Sequence, residues 1–522
     1  MGRSVISNVI PRTYHDSVRL MQVSKELSNL DSVQRTFIAM GTDANKRVLE
    51  QIGLLTDVIK DAGANDLIFV VEAKSKTIGK GTLAKAEALL AKSEKKTSNK
   101  ASIEKNIPKT FEQAYKGFTD ANFLFVSVPG PYAALEASKA LNANMNVMLF
   151  SDNVSLEDEL NLKKLAAQKG LLLMGPGCGT ALINGVALGF ANVLDAGPVG
   201  IVGASGTGLQ ELTTLLNRRG VGVSQVIGVG GRDLSDTIGG IMMKQGISML
   251  SSDPKTELIV LISKPPDITV TQTILKEVLS SGKPVVVNFL GQVGSRDYDG
   301  IIFTETIEDT AEKILSLIGN NSGPVLTTNT NTLIKMAHNE SERFAKDQKY
   351  IRGLFSGGSL CDEAINVLRK YSQDIYSNVQ TSKKWTLKNG QISKKHSCID
   401  MGEEEFTQSR PHPMIDPSYR QDRIIKEAND PSVAVILLDV VIGYGAHDNP
   451  AESLAVTIRQ AKADAFANKR YLSVVAHVCG SEKDHQGLRM QEECLRNAGV
   501  LVMSTNAQAA QVAAAIVGAE LN

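Results

Sequence analysis

The sequence predicts an α/β protein with parallel sheets, and three observations carry that prediction. Short apolar runs are repeatedly followed by a Gly-containing turn and then a helical stretch, the pattern of βα units. The runs are continuously rather than alternately apolar, as in strands buried on both faces. They include Phe123 to Val128, Val147 to Phe150, Leu171 to Met174, Val199 to Val202, Leu258 to Ile262, Val285 to Leu290, Val433 to Leu438 and Leu472 to Val478. Third, a weak internal repeat is visible. SGTGLQEL at Ser205 pairs with SGGSLCDE at Ser356, DPKTELIVLI at Asp253 with DPSVAVILLD at Asp430, and GKPVVVNFLG at Gly282 with NKRYLSVVAHVCG at Asn468. The offset grows along the chain, which places an insertion in the second copy near 375–420.

Bulk properties narrow the class. A chain of 522 residues is too long for one core, and three domains are expected. Lys plus Arg equals Asp plus Glu at 56 each, so no global field draws the chain to nucleic acid or an anionic membrane. No apolar run approaches a bilayer-spanning length. The N-terminus lacks a secretory h-region, and the five scattered cysteines have no CxxC spacing. A reducing cytoplasm is expected. Two polar stretches interrupt the βα pattern: KSEKKTSNKASIEKN at 92–106, read as an exposed loop, and 319–349, read as an interdomain connector.

The strongest local signal is GPVGIVGASGTGLQELTTLL, a buried strand running through Ser205, Gly206, Thr207 and Gly208 directly into a helix. Free N–H groups and the positive end of the helix dipole at such a turn suit a phosphate. The alternative is tight strand–helix packing with no ligand. No P-loop lysine is present. GVGGRDLSDTIGG puts Gly230, Gly231 and Arg232 at the end of the next strand, on the same carboxyl edge, where ligands of open α/β sheets bind. Arg232 offers a planar fork to phosphate or carboxylate, or else pairs with Asp233 or Asp236. In the second copy the counterparts are Ser356, Gly357 and Gly358, with Gly443 to His447; the repeat suggests two helix N-termini facing one another across a shared phosphate.

Further upstream, Pro129 follows one strand and Gly175 and Cys178 follow another; Ser151, Asp152 and Asn153 lie between them. SDNVSLEDE has capping-box spacing from Ser155 to Asp158. Cys178, between glycines, reads as a small residue in a tight turn more readily than as an exposed nucleophile. Of seven histidines, none lies between residues 16 and 337, and none has i, i+4 metal spacing, so no metal site is expected. His412 stands out because Pro411 and Pro413 hold its backbone beside Arg410.

From about Ala121 to Ser316 these blocks resemble the succinyl-CoA synthetase α chain: PGPYAALEAS, MLFSDNVSLEDE, LLLMGPGCGT, GIVGASGTGLQE, GVGG and GKPVVVNFLGQ occur in that order. Over nearly the whole chain the sequence resembles the FdrA family, through DSVRLM, GTDANK, NVMLFSDNVSLEDE, GPGCGT, GASGTGLQEL, GVGGRDLS, SKPP, RPHPMIDP and LLDVVIGYGA. The resemblance implies a CoA-binding-like, Rossmann-type domain within 1–196. Two flavodoxin-like ligase domains would follow at 197–320 and 350–522, joined by a linker at 321–349.

The synthetase's phosphohistidine lies in a GHAGA block; the corresponding stretch here reads GQVGSRDYDGIIF and has no histidine. The usual phosphohistidine relay is therefore not expected, and no ATP-grasp domain is evident. FdrA-like proteins are associated with oxamate carbamoyltransferase, a multi-subunit activity of allantoin catabolism. The resemblance thus implies carbamoyl phosphate or phosphate as substrate and further protein subunits as partners. Arg232, Arg410 and His412 are then the candidates to bind oxamate or polarise the carbamoyl oxygen. Ser205 to Gly208, Gly230, Gly231 and Ser356 to Gly358 would hold phosphate. CoA is the alternative ligand, for Pro129, Ser151 to Asn153, Gly175 and Cys178, in an acyl-CoA synthetase subunit or a non-catalytic CoA sensor.

Overall fold

The N-terminal unit pairs two edge strands that carry polar residues with a central strand that is buried throughout. The computed structural model describes residues 4–13, 15, 17–28, 30, 32–51, 53–98, 108, 110–291, 298–319, 323–372, 374–379, 382–407 and 410–521. Residues Met1–Thr110 with Thr407–Pro411 form one compact unit, and Phe111–Phe406 with His412–Asn522 the other. The first holds a three-stranded antiparallel sheet with Leu67–Ala73 between Ser4–Ile10 and Val33–Met40. Leu20, Val23, Leu27 and Leu83 cover one face, and Leu49, Leu54 and Ile59 the other. The expected N-terminal region 1–196 thus spans this unit and part of the next. The loop expected at 92–106 lies largely outside the described residues, and its described part continues the helix Lys76–Ser98.

The second unit is α/β with mainly parallel sheets, as the sequence predicts. A small parallel sheet contains Phe123–Val126, Asn146–Leu149 and Leu173–Met174. A seven-stranded sheet follows, ordered Ile301–Phe303, Val285–Phe289, Leu258–Ser263, Ala196–Ala204, Val223–Gly228, Thr180–Ile183 and Val186–Gly189. Its last two strands form an antiparallel hairpin at the edge. A six-stranded parallel sheet has the order Ile375–Tyr376, His396–Asp400, Tyr350–Phe355, Val433–Val441, Ser473–Cys479 and Leu501–Met503.

Two expectations change in content. The polar connector contains a helix, Thr330–Ser341, whose Leu333 and Ala337 are buried. The segment expected as an insertion supplies two strands of the third sheet, with Asp400 in register with Phe355. That pairing puts Asp400 beside the turn opening the helix Gly358–Arg369.

Candidate functional site

The two glycine turns lie at the carboxyl ends of central strands in their sheets. Ser205 follows Ala196–Ala204 and opens the helix Gly206–Arg218; Ser356 follows Tyr350–Phe355 and precedes the helix Gly358–Arg369. Neither helix has a side-chain N-cap, so the first-turn N–H groups keep their capacity to bind an anion. Packing fixes the turns: a Cβ on Gly203 would come within 2.8 Å of Leu209 and Ile262. At Gly206, by contrast, a Cβ would meet nothing nearer than Thr180 Oγ1 at 3.8 Å, which leaves the backbone open to a ligand.

The structure brings the two tips together. Ser205 Oγ lies 2.6 Å from Ser359 Oγ, and a Cβ on Gly357 would lie 2.8 Å from both Thr207 Oγ1 and Thr207 Cγ2. Ser205, Thr207, Ser356 and Ser359 are all buried.

Beneath the second tip, Asp439 accepts hydrogen bonds from the backbone N–H of Ser356 at 2.8 Å and of Gly357 at 2.7 Å. It also pairs with the buried Arg420 at 2.7 Å. Asp439 thereby occupies the N–H groups just before the helix and leaves those of the first turn.

His412 reaches the same place. A Cβ on Gly402 would lie 2.6 Å from His412 Nε2, 3.0 Å from the Ser356 carbonyl oxygen and 3.1 Å from Asp400 Oδ1. Burial lowers His412 to about 4, against a weak opposing pull from Asp439, so the ring is neutral at pH 7. Met414 N–H donates to Nδ1 at 3.3 Å, which places the ring proton of the neutral form on Nε2. The ring also meets Phe190, 5.7 Å between centroids, which in turn meets Phe150 at 5.6 Å.

Arg232 is drawn elsewhere. Its guanidinium donates to the Val154 carbonyl at 2.8 Å and pairs with buried Glu159 at 2.8 Å. Glu159 and Asp233 both hold buried Lys163, each at 2.8 Å. The sequence reading offered Asp233 or Asp236 as the alternative partner of Arg232; the partner is Glu159, carried by the helix Leu156–Gln168 that packs against this loop. Arg410 is exposed and belongs to the N-terminal unit. Gly230 packs on the Gly175–Pro176 turn, whereas Gly231 has open space around it.

Pro129, Ser151, Asp152, Asn153 and Gly175 do cluster, at the carboxyl edge of the small sheet. Ser151 Oγ donates to the Val128 carbonyl, its own carbonyl accepts from Gly177 N–H at 3.0 Å, and Gly130 packs on the carbonyls of Asp152 and Asn153. Ser155 caps the following helix as its spacing predicts, accepting from Asp158 N–H at 3.0 Å. Cys178 is not presented to this edge. It is 3% exposed, lies behind Gly228, and burial pushes its thiol up to about 12, which leaves it a packing residue. In the second copy the Gly443–His447 loop is pinned by Tyr444 N–H donating to the Ala191 carbonyl at 2.7 Å.

Three groups escaped the sequence reading: Lys264, Asp400 and Asp439. Lys264 stands in SKPP, directly after the strand Leu258–Ser263, a position that could have marked it. Asp400 lies within the segment expected as an insertion, at the end of a short strand, HSCID, that has no extended apolar run to mark it.

Family models match three segments of the chain. A family model described as "CoA-ligase" matches residues 354–516, and one described as "CoA binding domain" matches 195–291, residues read from sequence as the first flavodoxin-like domain. A third, "AllF, heavy metal-associated domain", matches 4–106, a segment without cysteine. Over 498 residues the chain is 45% identical to "Uncharacterized protein YahF" of Escherichia coli (strain K12), covering 95% of each. It is 32% identical to "Succinate--CoA ligase (ADP-forming) subunit alpha-2, mitochondrial" of Trichomonas vaginalis, over 33% of this chain and 57% of that one. The chain thus spans about half the length of the succinate–CoA ligase subunits it matches, 57% and 51% in the first two. Among solved structures, an ATP citrate lyase from Methanothrix soehngenii in complex with citrate and coenzyme A aligns at 12% identity and a TM-score of 0.35, over 78% of this chain and 84% of that one. The chain belongs to the family of YahF, a succinyl-CoA synthetase-like family with CoA-binding and CoA-ligase domains.

Proposed function

We propose that the chain is a subunit of a carbamoyltransferase, interconverting oxalurate and phosphate with oxamate and carbamoyl phosphate on a CoA-ligase scaffold. The observation that carries this reading is His412 beside two facing, uncapped helix tips. A phosphoacceptor histidine needs an unprotonated ring nitrogen at the reacting phosphate. His412 instead offers a neutral Nε2–H donor, suited to the oxygen of a carbonyl gaining negative charge as its carbon is attacked. Ser205 to Gly208 and the first turn of Gly358–Arg369 supply N–H groups for the phosphate. Transfer of a carbamoyl group between phosphate and an amide nitrogen requires positioning and charge stabilisation, and no phosphorylated protein intermediate.

A CoA-ligase reading is favoured by the family matches and by the cluster of Pro129, Ser151 to Asn153 and Gly175. One experiment separates the two. The full chain, purified with the subunits that accompany it, is incubated either with oxalurate and phosphate or with CoA, ATP and a carboxylic acid. Carbamoyl phosphate in the first mixture alone supports the transferase; thioester in the second overturns it. Neither product, with a CoA-dependent rise in melting temperature, supports a non-catalytic sensor.

A further inference from the structure

The strand Tyr350–Phe355 ends between two aspartates that are employed differently. Asp439, on one side, is saturated by backbone N–H groups and Arg420. Asp400, on the other, gives only Oδ1 to a donor, the Gly402 N–H at 2.9 Å. Its Oδ2 has no hydrogen-bond partner among the described residues, although the residue is 3% exposed. That oxygen faces the helix tip: a Cβ on Gly358 would lie 2.5 Å from Asp400 Oδ2 and 3.9 Å from Lys264 Nζ. An acceptor left without a protein partner at a helix tip, on a residue otherwise enclosed, is a place where a ligand can complete the structure.

Lys264 arrives from the other large sheet. Its ammonium is 3.0 Å from Asp362 Oδ2, and its side chain is 43% exposed, so it is tethered at the mouth of the tip and still reaches solvent. Asp362 sits on the first turns of the same helix.

We propose that Lys264, the Asp400 carboxyl and the N–H groups of Gly358 and Ser359 form a phosphate subsite, with Asp400 as the hydrogen-bond donor to the bound oxyanion. The occupant is inorganic phosphate or the phosphoryl end of an acyl phosphate, which share this chemistry. The inference deepens the reading above and rests on its assignment of the helix tips to phosphate. Lys264 supplies a charge, the helix its dipole, and a protonated carboxyl a donor that carries no charge of its own. Burial pushes Asp400 up to about 8; Glu403 and Asp362 add to the rise, and Lys264 and the Gly402 N–H oppose it. His412 and Cys361 are the other titratable groups beside it.

Titration calorimetry with inorganic phosphate and with carbamoyl phosphate, from pH 6 to 9, tests the subsite on the full-length chain. Asp400→Asn keeps an acceptor for Gly402 and a donor for the ligand. Above pH 8, wild-type affinity is expected to fall by up to about tenfold per pH unit, the slope of one linked proton. Asp400→Asn removes that fall. Titration of phosphate itself is common to both proteins and cancels in the comparison. Lys264→Met weakens binding about tenfold at pH 7, the order of one charge-assisted contact, and Lys264→Arg restores it. Weakening of inorganic phosphate alone assigns the subsite to free phosphate, and weakening of both ligands to any phosphoryl group. Unchanged affinity and pH dependence in both folded variants overturn this inference and leave the Ser205 tip standing. No phosphate binding by the wild-type chain at any pH overturns both.

Discussion

Ser205 and Ser359 touch through their hydroxyls, 2.6 Å apart, and so join the N-cap of one sheet's helix to the first turn of the other's. Both residues are buried, and loss of either hydroxyl leaves the other without that partner. Ser205→Ala and Ser359→Ala are each expected to destabilise the chain by about 1–3 kcal/mol, with the double variant costing less than the sum. Urea unfolding of the four proteins in a double-mutant cycle measures the coupling. A coupling energy of zero would mean that the two tips are held in place by other contacts.

Gly402 is a test of His412 that leaves its ring chemistry intact. Its missing side chain is the space in which His412 Nε2, Asp400 Oδ1 and the Ser356 carbonyl approach one another. Gly402→Ala should cost about 1–3 kcal/mol in stability, as overpacking does. Turnover should fall further than stability accounts for, because a displacement of about 1 Å at a reacting group has been worth about a hundredfold. Phosphate binding at Gly206 should persist. Comparison of kcat with the phosphate dissociation constant checks this.

Asp439 is a structural anchor, and its removal should be severe. Asp439→Ala strands the buried Arg420 guanidinium and uncovers the Ser356 and Gly357 N–H groups. Such a loss costs about 3–5 kcal/mol. Asp439→Asn, which keeps an acceptor, should lie between. Equal denaturation midpoints for wild type and Asp439→Ala would contradict the role.

A second buried pair sets a pH window for stability. His477 Nε2 donates to Glu211 Oε2 at 2.7 Å, and Nδ1 lies 3.1 Å from the Met503 carbonyl, an arrangement that a doubly protonated ring satisfies. Burial alone would lower His477, but Glu211 outweighs it and raises the ring above 6.5; burial alone would raise Glu211, but His477 holds it below 4.5. The His477 contribution is present at and below pH 6.5 and is lost as pH rises through the raised value. That of Glu211 is present above pH 4.5 and is lost as pH falls through the lowered value. Melting temperature against pH should therefore show a flank on each side in wild type, and His477→Gln should flatten the alkaline one.

Turnover should follow different groups. His412 stays neutral above about 4, and Asp400 stays protonated below about 8. A pH profile of kcat/KM is expected to decline above 8, and Asp400→Asn to shift or abolish that limb. An alkaline limb identical in the variant would assign it to another group.

Much of this architecture was legible in the sequence where burial on both faces wrote continuous apolar runs, as at Val285 to Leu290 and Val433 to Leu438. The two glycine turns were legible through the repeat, which suggested helix N-termini facing across a phosphate; the direct contact of Ser205 with Ser359 was not. The antiparallel N-terminal sheet was not legible, because its edge strands Ser4–Ile10 and Val33–Met40 are broken by Ser7 and Asn8 and by Gln34, Arg35 and Thr36, and antiparallel pairing leaves no βα pattern around the apolar run of Leu67–Val71. Asp400 was hidden for another reason. Its position is set by pairing with Phe355 across a long stretch of chain, and strand register between distant segments leaves no local mark. Arg232 read as a ligand fork because the residue that claims it, Glu159, looked from sequence like ordinary first-turn acid of a capped helix.

The two helix tips are encoded 154 residues apart in one polypeptide. Their encounter is therefore unimolecular, and dilution does not separate them as it would two half-sites on different chains. A crevice assembled in this way is present in equal stoichiometry in every folded copy, at nanomolar protein as at millimolar, and mass action governs only the partners and ligands that come to it.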